Sequence, residues 1–212
     1  DNPPADTLPV TDNRQFVGYA GLNVALFDGR LRNRFAYTRT DIKRITTDPT
    51  PGSFNPARAK GTLDRFEYQG VADVADALTL VFGVEHEQSE ASTFFPSFNT
   101  APDVSDVHMT SYYGQAIVRP VQGLTVTGGV RVDDQQVFGS KTSLGGNIAY
   151  TPNDGDTVIR ATYAEGFRAP ALSEQLAAFG NPDLRPETAR SYDAGIEQSL
   201  IDGKLRAQAT WF

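Results

Sequence analysis

The chain lacks several features that would assign it to common protein classes. It has no cysteine among its 212 residues, which excludes a disulfide framework and a thiolate metal site. No apolar run approaches the roughly 20 residues that a membrane-spanning helix requires. Lys and Arg number 19 against 26 Asp and Glu, so the net charge is -7. Because binding of phosphate backbones needs a basic surface, this charge argues against a nucleic-acid partner.

Short stretches of alternating apolar and polar residues occupy most of the chain. This period of two is typical of β-strands, and about ten such stretches can be counted. Asp28-Gly29 and Asp202-Gly203 predict two-residue type I′ hairpin turns. The predicted connections alternate between short turns and long loops, the longest early ones at residues 43–61 and 90–107. The chain is therefore expected to be all-β and antiparallel, and its length suits one domain.

The two faces of the predicted strands differ in character. The apolar face carries aromatic residues near the long-loop ends of the strands, as expected for an aromatic belt at a lipid interface; they are Tyr37, Phe66, Tyr68, Tyr112, Tyr163, Tyr192 and Trp211. The other face carries charges that a dry core would have to desolvate at several kcal/mol each; they are Arg32, Arg34, Arg65, Glu67, Arg131, Arg160, Glu197 and Arg206. This pattern predicts a transmembrane β-barrel with lipid outside and a polar lumen.

Residues 163–196 contain the most informative motif, a long loop with three prolines between two strands. Pro170 predicts the start of a short helix that Gly180 would end, and Pro182 and Pro186 exclude a regular strand before Glu187. Three segments together resemble the barrel signature of TonB-dependent outer-membrane receptors: Gly166-Phe167-Arg168-Ala169-Pro170, Asn181-Pro182-Asp183-Leu184-Arg185-Pro186-Glu187 and Tyr192-Asp193-Ala194-Gly195-Ile196-Glu197.

This resemblance implies a fold, a function and a location. Members of the family have a 22-stranded barrel filled by an N-terminal plug, so residues 1–212 are expected to be part of the barrel domain, without the plug. The family imports iron-siderophore complexes, cobalamin and similar scarce ligands across the Gram-negative outer membrane. The TonB complex would act through the absent plug, and the chain is somewhat closer to the cobalamin-receptor-like branch. Because it begins at Asp1, the chain is expected to be a mature piece or a fragment.

Candidate ligand-binding residues lie in the predicted external loops. Phe94, Phe95 and Phe98 share one loop, where exposed aromatics suit contact with aryl, corrin or siderophore groups, although packing of the loop on its neighbours explains them equally well. Arg168 would contact an anionic ligand or the plug, or would pair with Glu174 or Glu187. For Arg185 the pairing is favoured. Gly166, Pro170, Asn181, Pro182 and Pro186 are interpreted as shaping the loop, with no direct chemistry.

Catalysis and metal binding have little support in the sequence. Ser173-Glu174 and Asp183 have no nearby histidine, so no enzyme activity and no cofactor are predicted. His86 and His108, with Glu87 and Glu90, offer a metal site, but histidines at a membrane rim are the favoured interpretation. The pairs Asp103/Asp106 and Asp133/Asp134 lack the spacing of a calcium loop, which favours solvated turns.

Two alternatives of other classes remain open at this point. A self-contained ten-strand barrel acting as a passive pore or adhesin would share the alternation and the aromatic belt. A soluble secreted β-domain that binds a partner would bury Tyr163 and Trp211 in a protein core. The receptor interpretation is favoured because both chain ends fall on the long-loop side, whereas a complete small barrel is expected to begin and end at the short-turn side.

Overall fold

Ten antiparallel strands make up the structure, a computed structural model that describes residues 9–48, 56–96, 101–171, 174, 181 and 183–212. The predicted all-β class and strand number are confirmed. The strands are β1 (Val10–Leu26), β2 (Leu31–Thr47), β3 (Ala57–Ala75), β4 (Leu78–Phe94), β5 (Asp103–Val118), β6 (Leu124–Gln135), β7 (Gly139–Tyr150), β8 (Thr157–Arg168), β9 (Glu187–Leu200) and β10 (Leu205–Trp211).

The strands form one sheet whose spatial order is the order of the sequence, β1 to β10. Within the described residues the sheet stays open, with β1 and β10 at its two edges. No helix in the described part of the chain is long and apolar enough to cross a membrane.

The strand registers sort the side chains onto two faces. On one face, which we call the outer face, one row of directly opposed residues reads Leu22, Phe35, Tyr68, Val84, Tyr112 and Val132. The adjacent row on the other face, the lumen face, reads Asn23, Arg34, Gln69, Gly83, Tyr113 and Arg131. The predicted separation of apolar and charged residues is therefore confirmed by the pairing.

Burial is inverted relative to a water-soluble domain. Among the described residues, Ala36 is the one apolar residue that is buried, whereas Thr79, Ser111, Asp133 and Gln135 are buried polar residues. Large apolar side chains of the outer face are widely exposed, with Phe66 at 56% and Trp211 at 67%. Because exposed apolar area on this scale is unfavourable in water, the outer face requires lipid. A soluble β-domain with Trp211 in its core is inconsistent with this geometry.

The outer-face aromatics form a line that crosses the sheet diagonally. The line starts at Phe16 in β1 and ends at Trp211 in β10, with Tyr112, Tyr163 and Tyr192 between them. Along the registers it descends by about 12 residues over nine strand-to-strand steps, which for a rise of about 3.3 Å and a spacing of about 4.8 Å gives a strand tilt of about 40°. Strands in outer-membrane barrels tilt by this amount.

Three of the short turns share one backbone conformation. Phe27-Asp28-Gly29, Asn153-Asp154-Gly155 and Ile201-Asp202-Gly203 each have three consecutive residues with positive φ. The predicted two-residue turns at Asp28-Gly29 and Asp202-Gly203 are wrong in register, because Leu26 pairs with Leu31 and Leu200 with Leu205, leaving four residues in each connection. In each turn the residue before Asp is the first of the three left-handed residues, Asp is the second and Gly is the third.

Replacing Gly29 with alanine should destabilise the fold by about 1–2 kcal/mol, because an L side chain at its φ of 86° is strained. A Cβ at Gly29 meets no atom within 4 Å, so the effect reports the backbone alone. Gly128→Ala is the matched control, since its Cβ also meets nothing within 4 Å and its φ is ordinary. Urea unfolding of the full-length protein in lipid vesicles measures both variants. Equal midpoints would contradict the strained-turn interpretation.

The strands extend further than the alternation indicated. The loops predicted at residues 43–61 and 90–107 are too long, because β2 continues to Thr47, β3 begins at Ala57, β4 continues to Phe94 and β5 begins at Asp103. Beyond the lipid zone both faces of a strand contact water, so backbone pairing continues without an apolar face. The described residues leave out 49–55 and 97–100.

Candidate functional site

The signature segment lies where β8 and β9 meet at the long-loop end. Gly166, Phe167 and Arg168 belong to β8, so their prediction as loop residues is wrong, and Arg168 pairs in register with Glu187, the first residue of β9. The connection itself contains Ala169, Pro170, Asn181, Leu184 and Pro186. Pro182 and most of the predicted helix at 171–179 lie outside the described residues.

Glu174 and Asn181 organise the described part of this connection. The Ala171 N–H donates to Glu174 Oε2 at 2.8 Å, and the Asn181 N–H donates to the Glu174 carbonyl at 2.8 Å. Asn181 Oδ1 in turn accepts from the Asp183 N–H at 3.0 Å, a local turn that asparagine favours. These hydrogen bonds place Asn181 at a local turn within the connection.

Arg168 and Arg185 have different surroundings. Arg168 lies 3.9 Å from Glu174, and its side chain remains 71% exposed. For Arg185, the described residues contain no ion pair, so the predicted pairing with Glu174 or Glu187 does not occur among them. Arg185 instead lies between two cavities of about 150 and 570 Å³, and Lys141 lines the larger one.

An aromatic pair borders this recess, whose lining carries three cations and three carboxylates, namely Arg168, Arg185, Lys141, Glu174, Asp183 and Glu187. The rings of Phe138 and Phe167 meet edge to face at 5.7 Å between centroids. Phe138 also lines the larger cavity, together with Lys141 and Arg185. Cations beside aromatic faces suit an anionic or aryl ligand. Sequence reasoning missed Phe138 and Lys141, because the three-residue connection between β6 and β7 carried no motif.

The aromatic residues that the sequence predicts to bind ligand lie elsewhere at the long-loop end of the sheet. Phe94 is the last residue of β4, on the outer face, where it pairs with Arg58, and Phe95 follows it. Four strand spacings, about 19 Å along the sheet, separate β4 from β8. The structure therefore does not bring Phe94 and Arg168 into contact. Phe98 lies outside the described residues.

An ion network on the lumen face is the most ordered charged feature of the sheet. Arg65 contacts Glu87 at 2.6 Å and Glu85 at 3.8 Å, and Arg131 contacts Glu85 at 3.5 Å and Asp133 at 2.8 Å. The Ser111 hydroxyl donates to Asp133 at 2.6 Å. The side chain of Asp133 is 2% exposed, and its Oδ2 atom has no partner among the described residues. The network joins β3, β4, β5 and β6.

The pairs weighed as metal ligands take other roles. Asp133 lies on the lumen face and Asp134 on the outer face, because adjacent residues of a strand point to opposite sides. His86 and His108 lie on the outer face with 6.3 Å between ring centroids, and His86 Nδ1 is 2.9 Å from Thr110 Oγ1. The described residues contain no cluster of three His, Cys, Asp or Glu side chains suited to a metal ion.

The chain is similar to a known family of proteins. A family model described as "TonB dependent receptor-like, beta-barrel" matches residues 1–212. The chain belongs to this family. Barrels of TonB-dependent receptors are transport proteins of the Gram-negative outer membrane and not enzymes, so the predicted location and the absence of catalysis are confirmed. For this receptor barrel the outer face contacts lipid, and the long-loop end faces the cell exterior.

Individual relatives match this chain over only part of their own length. Over 132 residues the receptor chain is 30% identical to the vitamin B12 transporter BtuB of Vibrio vulnificus, a match covering 60% of the chain and 20% of that protein. The siderophore receptor PirA of Acinetobacter baumannii superposes with a TM-score of 0.75 at 16% identity, covering 94% of this chain and 34% of that one. The outer membrane transporter YddB of Escherichia coli gives 0.79 at 12%, covering 92% and 33%. The chain thus spans about a third or less of the length of these three proteins.

Proposed function

We propose that residues 1–212 form part of the barrel domain of an outer-membrane receptor that captures a scarce ligand at its external end and imports it with energy from the TonB complex. The plug that TonB would act on lies outside this sequence. The chain supplies ten strands of a barrel of about 22 strands. The observation that carries the proposal is the charged lumen face, since a wall with paired charges suits a lumen occupied by protein and water.

The lumen network supports a plug contact in particular. Arg65 and Arg131 are neutralised by Glu85, Glu87 and Asp133, so the wall offers polar hydrogen-bonding groups with little excess charge. The Oδ2 atom of Asp133 has no partner among the described residues, but it is buried within the wall itself and is not part of the surface that the wall presents to the lumen.

The ligand is an iron-siderophore or cobalamin-like molecule, and the similarity to a vitamin B12 transporter favours the cobalamin-like class. Its contacts are assigned to the external end, where Arg168, Arg185 and Lys141 surround the recess beside Phe138. The aromatic group Phe94, Phe95 and Phe98 would supply a second contact surface across the barrel mouth. A ligand wide enough to touch both sites suits the separation of these two groups.

Uptake by whole cells tests the proposal. A strain lacking its own cobalamin and siderophore receptors would express the full-length protein, and accumulation of labelled cyanocobalamin and of a labelled ferric siderophore would be measured with and without TonB. We expect TonB-dependent accumulation of one of the two ligands, and cyanocobalamin is the one that we expect. TonB-independent leakage of unrelated small solutes would instead support the passive pore.

Substitutions at the external end separate the two contact surfaces. We expect Arg168→Gln and Phe95→Ala each to weaken ligand binding about tenfold in equilibrium titrations of the full-length receptor, with unchanged heat-modifiable mobility as the measure of folding. Lys204→Gln, at a short turn on the opposite end, is the control and should leave the affinity unchanged. Normal affinity in both test variants would place the ligand elsewhere.

A further inference from the structure

The backbone pairing between β7 and β8 ends early on the external side of the sheet. The last pair toward the long loops is Gly145 with Ala164. Within the part of the chain that the structure describes, residues 139–144 of β7 pair with β6 alone and residues 165–168 of β8 pair with β9 alone. The other neighbouring strands stay paired to within one residue of the external end of the strand that ends first. We call the unpaired boundary between β7 and β8 the seam.

Two side-chain contacts bridge the seam. The Leu144 N–H donates to Glu165 Oε2 at 3.1 Å, so a carboxylate accepts a backbone proton from β7 at the point where the pairing ends. The rings of Phe138 and Phe167 meet across the same boundary. Glu165 lies on the outer face two residues beyond Tyr163, and its side chain is only 20% exposed. The carboxylate is therefore a partly buried link between the two strands.

Neighbouring groups fix the orientation of the Glu165 carboxylate. The Tyr163 hydroxyl donates to Oε1, and Arg190 Nε lies 3.4 Å from the same oxygen. The Arg190 side chain is 71% exposed, so its ion pair with Glu165 contributes little. Oε2 is the oxygen that accepts from Leu144. A hydrogen bond to an ionised acceptor is roughly twice as strong as one between neutral groups, which makes this bond a specific link across the seam.

The part of β7 beyond the seam belongs to the tip of the β6–β7 hairpin, residues 135–141. Gln135 is 6% exposed, and its Oε1 atom accepts the Val137 and Phe138 N–H groups at 2.8 and 3.1 Å. The tip thus has hydrogen bonds of its own, and β7 remains paired with β6 as far as Gly139. Because no backbone ladder joins the tip to β8, its position relative to β8 depends on the side chains that bridge the seam.

The larger cavity of the external recess lies across the seam. Its volume is about 570 Å³. The tip supplies Phe138 and Lys141 to one side of the lining, and residues 183–186 with Thr188 supply the other side. The width of the recess is therefore set by the distance between the tip and the strands β8 and β9. A residue that controls the seam controls this width without lining the cavity.

We propose that Glu165 is a positioning residue of the external recess. Its bond to the Leu144 N–H holds the tip against β8, and this sets the distance between Phe138 and Lys141 on one side and the β9 side of the recess on the other. The proposal rests on the proposed function, in which the recess contacts the ligand. Glu165 itself lies on the outer face and acts through the tip.

Hydrogen exchange of the full-length receptor in nonionic detergent, without ligand, tests the bond across the seam. Mass spectrometry with electron-transfer fragmentation resolves the Leu144 amide, and heat-modifiable mobility shows that each variant is folded. We expect Glu165→Ala to speed exchange of this amide about tenfold. Glu165→Gln keeps an acceptor oxygen and should restore most of the protection. Unchanged exchange in Glu165→Ala would overturn the proposal.

Two variants serve as controls for the exchange experiment. Asp134→Ala removes an exposed carboxylate on the outer face of the same hairpin. Arg190→Gln removes the exposed ion-pair partner of Glu165 and leaves the bond to Leu144 in place. We expect exchange at Leu144 to stay within about twofold of the native value in both. A tenfold increase in Asp134→Ala would show that any lost carboxylate loosens the hairpin, which would contradict the specific role of Glu165.

Titration with cyanocobalamin separates positioning from a general loss of stability. We expect Glu165→Ala to weaken binding about fivefold, Glu165→Gln to bind nearly as the native receptor does, and Glu165→Ala to cost nothing further when Phe138→Ala is already present. Additive losses, or native affinity in Glu165→Ala despite faster exchange at Leu144, would overturn the positioning role. Failure of the native receptor to bind cyanocobalamin would contradict the proposed ligand and not the link across the seam, which the ligand-free exchange decides.

Discussion

Replacing Asp133 with alanine should lower the free energy of unfolding of the receptor by about 2–3 kcal/mol. The substitution leaves the buried Ser111 hydroxyl without its acceptor and removes the closer of the two acidic partners of Arg131. Loss of a partner from a buried ion pair costs about 3–5 kcal/mol, and the cost is smaller here because Arg131 is 37% exposed and retains Glu85 at 3.5 Å. Urea titration of the full-length receptor folded in phosphatidylcholine vesicles measures the change.

Asp134 supplies the control for this experiment. It is the next residue in β6, it is exposed, and it lies on the outer face, so Asp134→Ala should change stability by less than about 0.5 kcal/mol. A double variant with Arg131→Ala should cost less than the sum of the single changes, because the two residues are in direct contact. Additive costs, or equal costs at positions 133 and 134, would show that the lumen network does not stabilise the barrel.

Introducing arginine at Val130, one outer-face row inside the aromatic line, should destabilise the barrel by about 1–2 kcal/mol and deplete the folded receptor from the outer membrane. Val130 is 44% exposed on the outer face, where its register neighbours are Gly114 and Leu144. In the membrane this surface contacts hydrocarbon, in which a guanidinium loses its hydration. The folded fraction in isolated outer membranes, read from heat-modifiable mobility, and urea titration in vesicles both report the effect.

The same charge on the lumen face should be tolerated. Thr127 lies three residues from Val130 in β6 and on the opposite face, between Ile117 and Asn147. Thr127→Arg should cost less than about 1 kcal/mol, because its charge remains in water. A larger cost at Thr127 than at Val130 would reverse the assignment of lipid and lumen to the two faces.

Alternation in the sequence was sufficient to predict the fold class, the number of strands and the two faces. The signal is strong between the aromatic line and the short turns, where one face contacts lipid and the other water. It fails in the outer parts of the strands, such as residues 43–47 of β2 and 57–61 of β3, because both faces there are wet and apolar residues are not required. Loop length was overestimated for that physical reason.

The sequence predicts the face on which a charged residue lies better than it predicts which residue that charge contacts. Arg65 and Arg131 were assigned correctly to the polar side, but their partners depend on register, which a single sequence does not specify. Glu87 lies 22 residues from Arg65 along the chain, and they meet because β3 and β4 pair with Arg65 opposite Glu87. The signature motif drew attention to the loop between β8 and β9, while Phe138 and Lys141 enter the recess from the preceding hairpin. The roles assigned to the signature and aromatic residues in ligand binding stay predictions.

The order of the strands has a consequence for how such a sheet assembles. Among the described residues each strand pairs only with its neighbours in the sequence, so each step of folding closes a short segment and its entropic cost grows slowly with length. Adding a hairpin at one edge leaves the earlier pairings intact, in the manner of a zipper. The left-handed turns at Phe27–Gly29, Asn153–Gly155 and Ile201–Gly203 set the handedness of three of these hairpins locally. A gene that gained or lost one hairpin would change the circumference of the barrel by two strands without altering the rules by which the remainder assembles.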